Sequence, residues 1–103
     1  MERLNFAGRV LLLCKKIPKG KVTTYKILAE AAGRKNAYRA VGTILKKNKN
    51  PKDIPCYRVV KSSGHVGNYS LGIRKKIKLL RKDGIPVVGE KIKNLERFLF
   101  TFR

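Results

Sequence analysis

The stretch TTYKILAEAAGRKNAYRAVGTILKKN, residues 23–48, decides the fold. Thr23 or Thr24 can cap a helix that runs through Ala32 and stops at Gly33, a good C′ residue. Ile27, Leu28 and Ala31 make its inner face. Asn36 can cap a further helix, Ala37 to Lys47, with Val41, Ile44 and Leu45 inward. Arg39, Thr43 and Lys46 or Lys47 fall together on another face of it. Two short helices joined by a tight turn, the second one basic, suggest a helix-turn-helix. A solvated lysine face produces the same pattern.

Upstream, Phe6, Val10, Leu13, Cys14 and Ile17 form a helical stripe within residues 3–17. Cys14 reads there as a small buried hydrophobe. "PKGK", residues 18–21, ends the helix. Downstream, Pro51 and Pro55 mark a loop. "CYRVVK" (56–61) reads as a strand and "SSGHVGNYS" (62–70) as a turn-rich return, together a small hairpin or wing. Ile73, Ile77 and Leu80, with Leu79 beside them, give a fourth helix ending at Gly84. "IPVVGEKI" (85–92) reads as extended. Leu95 to Phe102 is a short apolar segment of helical character, with Phe98, Leu99 and Phe102 as docking residues. The expected fold is mainly α with a small β hairpin, a winged-helix-like single domain.

A chain of 103 residues fits one domain and buries about two-thirds of its surface on folding. Two cysteines are too few for a disulfide framework. No CxxC or His/Cys cluster points to a metal. No apolar run reaches the roughly 18 residues of a membrane span. Residues 1–17 lack a signal-peptide cleavage site, so the expectation is a cytoplasmic protein with reduced thiols. Charge is the dominant feature: 26 Lys and Arg against 6 Asp and Glu give +20. Such a chain seeks polyanions, nucleic acid first. A ribosomal-type surface or attraction to anionic lipid is the blander alternative.

The second cysteine, in "IPCYRVV" (54–60), differs from Cys14. It follows a proline near a chain reversal, among Arg58, Lys61 and a basic helix. Positive potential favours thiolate. A reactive thiol in a DNA-binding domain points to chemistry on DNA.

Four segments, "IPKGKVTTYKILAEAAG", "AYRAVGTILKKN", "IPCYRVVKSSGHVGNYSLG" and "KKIKLLRKDG", resemble in order and spacing the C-terminal domain of O6-alkylguanine-DNA alkyltransferases. The resemblance spans roughly Phe6 to Gly84. It implies double-stranded DNA bound through the minor groove, a damaged guanine flipped into a pocket, and a monomer without metal or organic cofactor. Cys56 matches the acceptor thiol, which takes the alkyl group irreversibly: a methylated-DNA–protein-cysteine methyltransferase acting once. Arg39 matches the arginine that fills the gap left by the flipped base. Small Ala40 and Gly42 allow close approach, and Tyr25 matches the tyrosine that helps rotate the target nucleotide. Thr24, Thr43, Lys46 and Arg58 complete the expected DNA-facing set. Asn48 matches the asparagine bracing the turn between recognition helix and thiol. The Tyr69 hydroxyl and Ser70 backbone N–H match base recognition, with the carbonyls of Cys56 and Val59 reading the exocyclic amine.

Two departures stand out. The family usually carries histidine after the cysteine, braced by glutamate, to help remove the thiol proton through a water. Here those positions hold Tyr57 and Asp83, the expected catalytic pair. An ordinary tyrosine, with pKa near 10, is a poor base at neutral pH, yet its hydroxyl can donate to a thiolate or hold the water. The shorter aspartate suits the larger ring. His65, the only histidine, falls in the wing loop and reads as a surface residue. The second departure is length: the expectation is a single domain, 1–103, without the N-terminal domain common in the family. Alkyltransferase-like proteins also lack it, and they bind alkylated DNA without transfer, usually with another residue in place of the cysteine. Cys56 favours transfer over lesion sensing. A basic winged-helix regulator without lesion preference is the third reading.

Overall fold

The computed structural model describes residues 4–102. Helix α1 spans Phe6–Cys14, capped by Asn5, whose Oδ1 accepts the Gly8 N–H at 2.7 Å. It ends earlier than the stripe suggests, and Ile17 reaches the core from the following turn. Strand β1 (Thr23–Thr24) runs straight into helix α2 (Tyr25–Ala31), with the Thr24 hydroxyl accepting the Ile27 N–H at 3.1 Å. Gly33, at φ +100°, closes α2 in the left-handed region that glycine adopts cheaply. The inner face is Leu28, Ala29 and Ala32; Ala31, expected inside, faces solvent. Helix α3 is Tyr38–Lys46. Ala37, not Asn36, occupies its N-cap and gives it no side-chain bond.

The wing takes a different form from the one expected. Cys56–Arg58 is a single 3-10 turn, and only Val59–Val60 is extended, as β2. This strand pairs in parallel with β1, in register Thr23↔Val59 and Thr24↔Val60, and not with residues 62–70. Parallel pairing needs a long connection, and α2–α3 supplies it. Helix α4 is Ile73–Lys82, ended by Asp83 and Gly84. The antiparallel hairpin is β3 (Val87–Val88) with β4 (Lys91–Ile92), the segment expected to be extended. Helix α5 is Leu95–Phe98, shorter than the segment to Phe102 expected to be helical. Beyond it the chain lies along Val22, which donates to the Phe98 carbonyl and accepts from Phe100.

Strand alternation makes β2 the seam between two cores. Val59 joins Val10, Leu28, Val41 and Leu45 under the three N-terminal helices. Val60 joins Val22, Val66, Leu80 and Ile85 under α4 and the hairpin. Each valine is fully buried, worth about 1.5–3 kcal/mol apiece. Cys56 sits at the edge of the first core.

Candidate active site

An open cleft of about 990 Å³ lies between α2, α3, residues 61–70 and the start of α4, and Cys56 lies on its lining. The thiol is buried, with the residue 5% exposed. Tyr25, Arg39, Thr43, Lys46, Tyr69 and Ser70 line the same cleft. These seven residues, all expected in the site from the sequence, therefore converge on one cavity. Ala40 lies on the exposed surface of α3. Leu71, at the end of the 61–70 wall, is 58% exposed.

Other expected site residues lie behind the cleft. Asn48 Nδ2 donates to the Ile54 carbonyl at 3.0 Å, and its Oδ1 accepts the Asn50 N–H at 2.9 Å. It thus ties the end of α3 to the loop that delivers Pro55 and Cys56. Thr24, expected to face DNA, is buried and spends its hydroxyl on the α2 cap. Arg58, also expected to face DNA, turns inward. Its Nε donates to Asp83 Oδ2 at 2.9 Å and another guanidinium nitrogen donates to the Ile17 carbonyl at 2.8 Å. With these contacts the side chain is only 15% exposed, and Arg58 does not line the cleft.

Tyr57 and Asp83 do meet, at 2.7 Å, with the phenol donating to Asp83 Oδ2. The Arg58 guanidinium stacks 5.2 Å over the Tyr57 ring. Burial and the Asp83 bond push the Tyr57 hydroxyl up to about 12, so it holds its proton. The ring packs against the second core, whereas Cys56 belongs to the first. The protonated phenol is therefore not a base, and its proton is committed to Asp83. If Cys56 accepts an alkyl group from damaged DNA, as the resemblance implies, replacing Tyr57 with phenylalanine should leave that reaction within about threefold. Losing the bond to a charged carboxylate should lower unfolding stability by about 1–2 kcal/mol. Single-turnover rates and denaturant melts check both halves.

The residue the sequence reading missed is Lys76. It is completely buried. Its Nζ donates to the Val59 carbonyl at 2.7 Å, the Asn68 carbonyl at 3.2 Å and the Tyr25 hydroxyl at 3.4 Å. Burial lowers its pKa from 10.5 to about 7, against the opposing pull of thiolate charge at Cys56 and Cys14. The signal was present: Lys76 lies on the α4 stripe with Ile73, Ile77 and Leu80. A lysine on an apolar stripe is easily taken for one that snorkels out. Gly67 packs over this corner at φ +80°, and a Cβ there would lie 2.9 Å from the Tyr25 hydroxyl. Burial, then charge at the two cysteines, pushes Tyr25 up to about 12, so it remains a donor. Burial also pushes the Cys14 thiol up to about 12, leaving Cys14 the inert core residue expected of it.

A basic helix-turn-helix whose second helix walls a cleft over a buried thiol has the form of a DNA-binding domain. The chain belongs to the family described as 6-O-methylguanine DNA methyltransferase, DNA binding domain, whose model matches residues 5–85. It is 43% identical over 101 residues to a bifunctional methyltransferase/endonuclease of Picrophilus torridus, covering 98% of this chain and 34% of that protein. It is 47% identical over 84 residues to the methylated-DNA–protein-cysteine methyltransferase of Homo sapiens, covering 81% of this chain and 41% of that one. The chain thus spans well under half of these relatives. Among solved structures, S. pombe Atl1 in complex with damaged DNA containing O6-carboxymethylguanine superposes with a TM-score of 0.85 at 27% identity. That match covers 98% of this chain and 99% of the other.

Proposed function

We propose that the chain binds duplex DNA carrying O6-alkylguanine, takes the flipped base into the cleft and accepts the alkyl group on Cys56 in one irreversible turnover. The observation that carries this reading is the buried Cys56 thiol on a cleft shared with Arg39 of α3 and with Tyr69 and Ser70. Lys76, whose pKa burial lowers to about 7, takes the thiol proton by way of the Tyr25 hydroxyl, which lines the cleft with Cys56 and accepts from Lys76 Nζ at 3.4 Å. The thiolate attacks the alkyl carbon, the carbon–O6 bond breaks and its electron pair stays on the guanine. A proton returns to the guanine from the Lys76 ammonium by way of the Tyr25 hydroxyl, so the leaving base is neutral. Asn48 acts as a positioning residue that holds the loop carrying Cys56. Tyr69 and Ser70 read the base.

The test is mass spectrometry after incubation with a duplex containing O6-methylguanine. The Cys56 peptide should gain one methylene, and the Cys14 peptide should not. A protein that stays unmodified at saturating lesion DNA overturns transfer. If it nonetheless binds that duplex tightly and persistently, the second reading holds: lesion binding without transfer, to which the likeness to Atl1 in complex with damaged DNA lends support.

Arg39 serves either reading. It is exposed on the cleft face of α3, where its side chain can occupy the space of an extruded base. Extrusion costs a few kcal/mol, and each 1.4 kcal/mol is tenfold. Arg39→Ala should therefore slow transfer from duplex by about tenfold or more while barely changing reaction with free O6-benzylguanine. Equal losses on both substrates would assign Arg39 to the chemistry instead. Binding by a chain of charge +20 should also weaken steeply with added salt.

A further inference from the structure

The only histidine of the chain is not a loose wing residue. His65 Nδ1 accepts the Gly67 N–H at 2.9 Å, and its Nε2 lies 3.0 Å from Glu90 Oε1. An Nδ1 that accepts carries no proton, so the ring is held as the Nε2–H tautomer donating to Glu90. The segment beneath it is knitted to the hairpin. Val66 N–H donates to the Glu90 carbonyl, Ile92 N–H to the Gly64 carbonyl, and His65 bridges Lys91. Gly67, at φ +80°, stands at the base of the cleft wall. On one side it packs against Tyr25 and Lys76, and on the other it leads directly into Asn68, Tyr69 and Ser70, all on the cleft.

We infer that His65, oriented by Glu90, is a positioning residue for lesion recognition: it fixes the Gly67 amide and thereby the placement of the Tyr69–Ser70 wall. This rests on the base-binding role proposed above for that wall. His65 itself does not line the cleft, so its effect passes entirely through Gly67. The hydrogen bond from residue i+2 to the side chain of residue i is also the contact an asparagine makes in an Asx turn. Asparagine can therefore supply the acceptor without the ring, and alanine cannot.

The experiment compares wild type, His65→Ala and His65→Asn on plain duplex and on duplex containing O6-methylguanine. It measures affinity for each and, at saturating lesion DNA, the single-turnover rate. Loss of one hydrogen bond at the wall should cost His65→Ala about fivefold to tenfold in lesion preference and in saturating rate. Affinity for plain duplex should stay within twofold. His65→Asn should recover to within about twofold of wild type in both. Unchanged lesion preference in His65→Ala overturns the inference. So does a His65→Asn protein as impaired as the alanine variant while melting like wild type, because that would show that the Gly67 acceptor is not what matters. Glu90→Ala should shift lesion preference in the same direction by a smaller factor, and this holds even if His65→Ala fails to fold. A wild-type protein with no lesion preference would instead reject the base-binding reading itself, and it would do so before any variant is compared.

Discussion

Cys56→Ala should abolish alkyl transfer to the protein while leaving affinity for O6-methylguanine duplex within about threefold. The two halves come from different parts of the structure. Transfer needs a sulfur nucleophile, and the only other cysteine is fully buried with its thiol pushed up to about 12. It cannot substitute. On the proposed reading, binding draws on α3, on Tyr69 and Ser70 and on the overall charge, none of which alanine disturbs. Alanine removes one sulfur from a residue 5% exposed at the core edge, a small cavity costing on the order of 1 kcal/mol. Methyl groups labelled on the DNA should therefore remain on the DNA, while gel-shift titrations of wild type and variant nearly coincide. Labelled methyl found on the variant protein would show that another residue is the acceptor.

Lys76→Met should be nearly as damaging to transfer, by about a hundredfold at neutral pH, the lower end of what a positioned base contributes. Methionine retains much of the apolar stem and loses the amine. Neutral Lys76 is the form that accepts a proton, so the wild-type rate should rise as the pH passes upward through about 7 and then level off. In the variant that rise should vanish, with reaction returning only toward the alkaline range where ordinary thiols ionise, around 8.5. Lys76→Arg, permanently charged, should also lack the rise. Stability provides an independent check. The folded pKa is depressed below its unfolded value, so the unfolded chain holds more protons between about 7 and the ordinary 10.5. The contribution of Lys76 to stability is therefore greatest above 10.5 and declines as the pH falls toward 7. The melting temperature of wild type relative to Lys76→Met should fall across that window. A constant difference would mean that Lys76 keeps its proton throughout.

Local features were legible in the sequence because their causes are local. Thr24 and Gly33 bracket α2 through capping chemistry, and Gly84 ends α4 in the same way. The stripe of Phe6, Val10 and Cys14 places α1. The segment motifs identified the thiol and six of its cleft neighbours. What stayed hidden depended on distant partners. Strand β2 is two residues long, and its mate β1 lies before two helices, so nothing near "CYRVVK" reveals parallel pairing. Arg58 and Thr24 carry groups that suit phosphate equally well; Asp83, the Ile17 carbonyl and the α2 cap claimed them first. Lys76 was obscured for the opposite reason, since it occupies a core position with a residue type that rarely stays buried. Tyr57 looked like a substitution in a relay. Its contacts make it part of a brace between the 3-10 turn and the end of α4.

The β1–β2 ladder carries a further implication. Everything from Tyr25 to Arg58 is a closed excursion whose two ends meet at the pairs Thr23↔Val59 and Thr24↔Val60. Tyr25 begins one residue after the ladder, and Cys56 ends three residues before it. The helices that would grip DNA and the atom that would react with it therefore share one reference mark, two rungs long. Extra length in the 47–53 connection is absorbed inside the excursion, where loop closure changes only slowly with size. A slip of a single rung would displace the thiol by about 3.3 Å relative to the helices. Tolerance to loop variation and intolerance to register error are thus two properties of the same short joint.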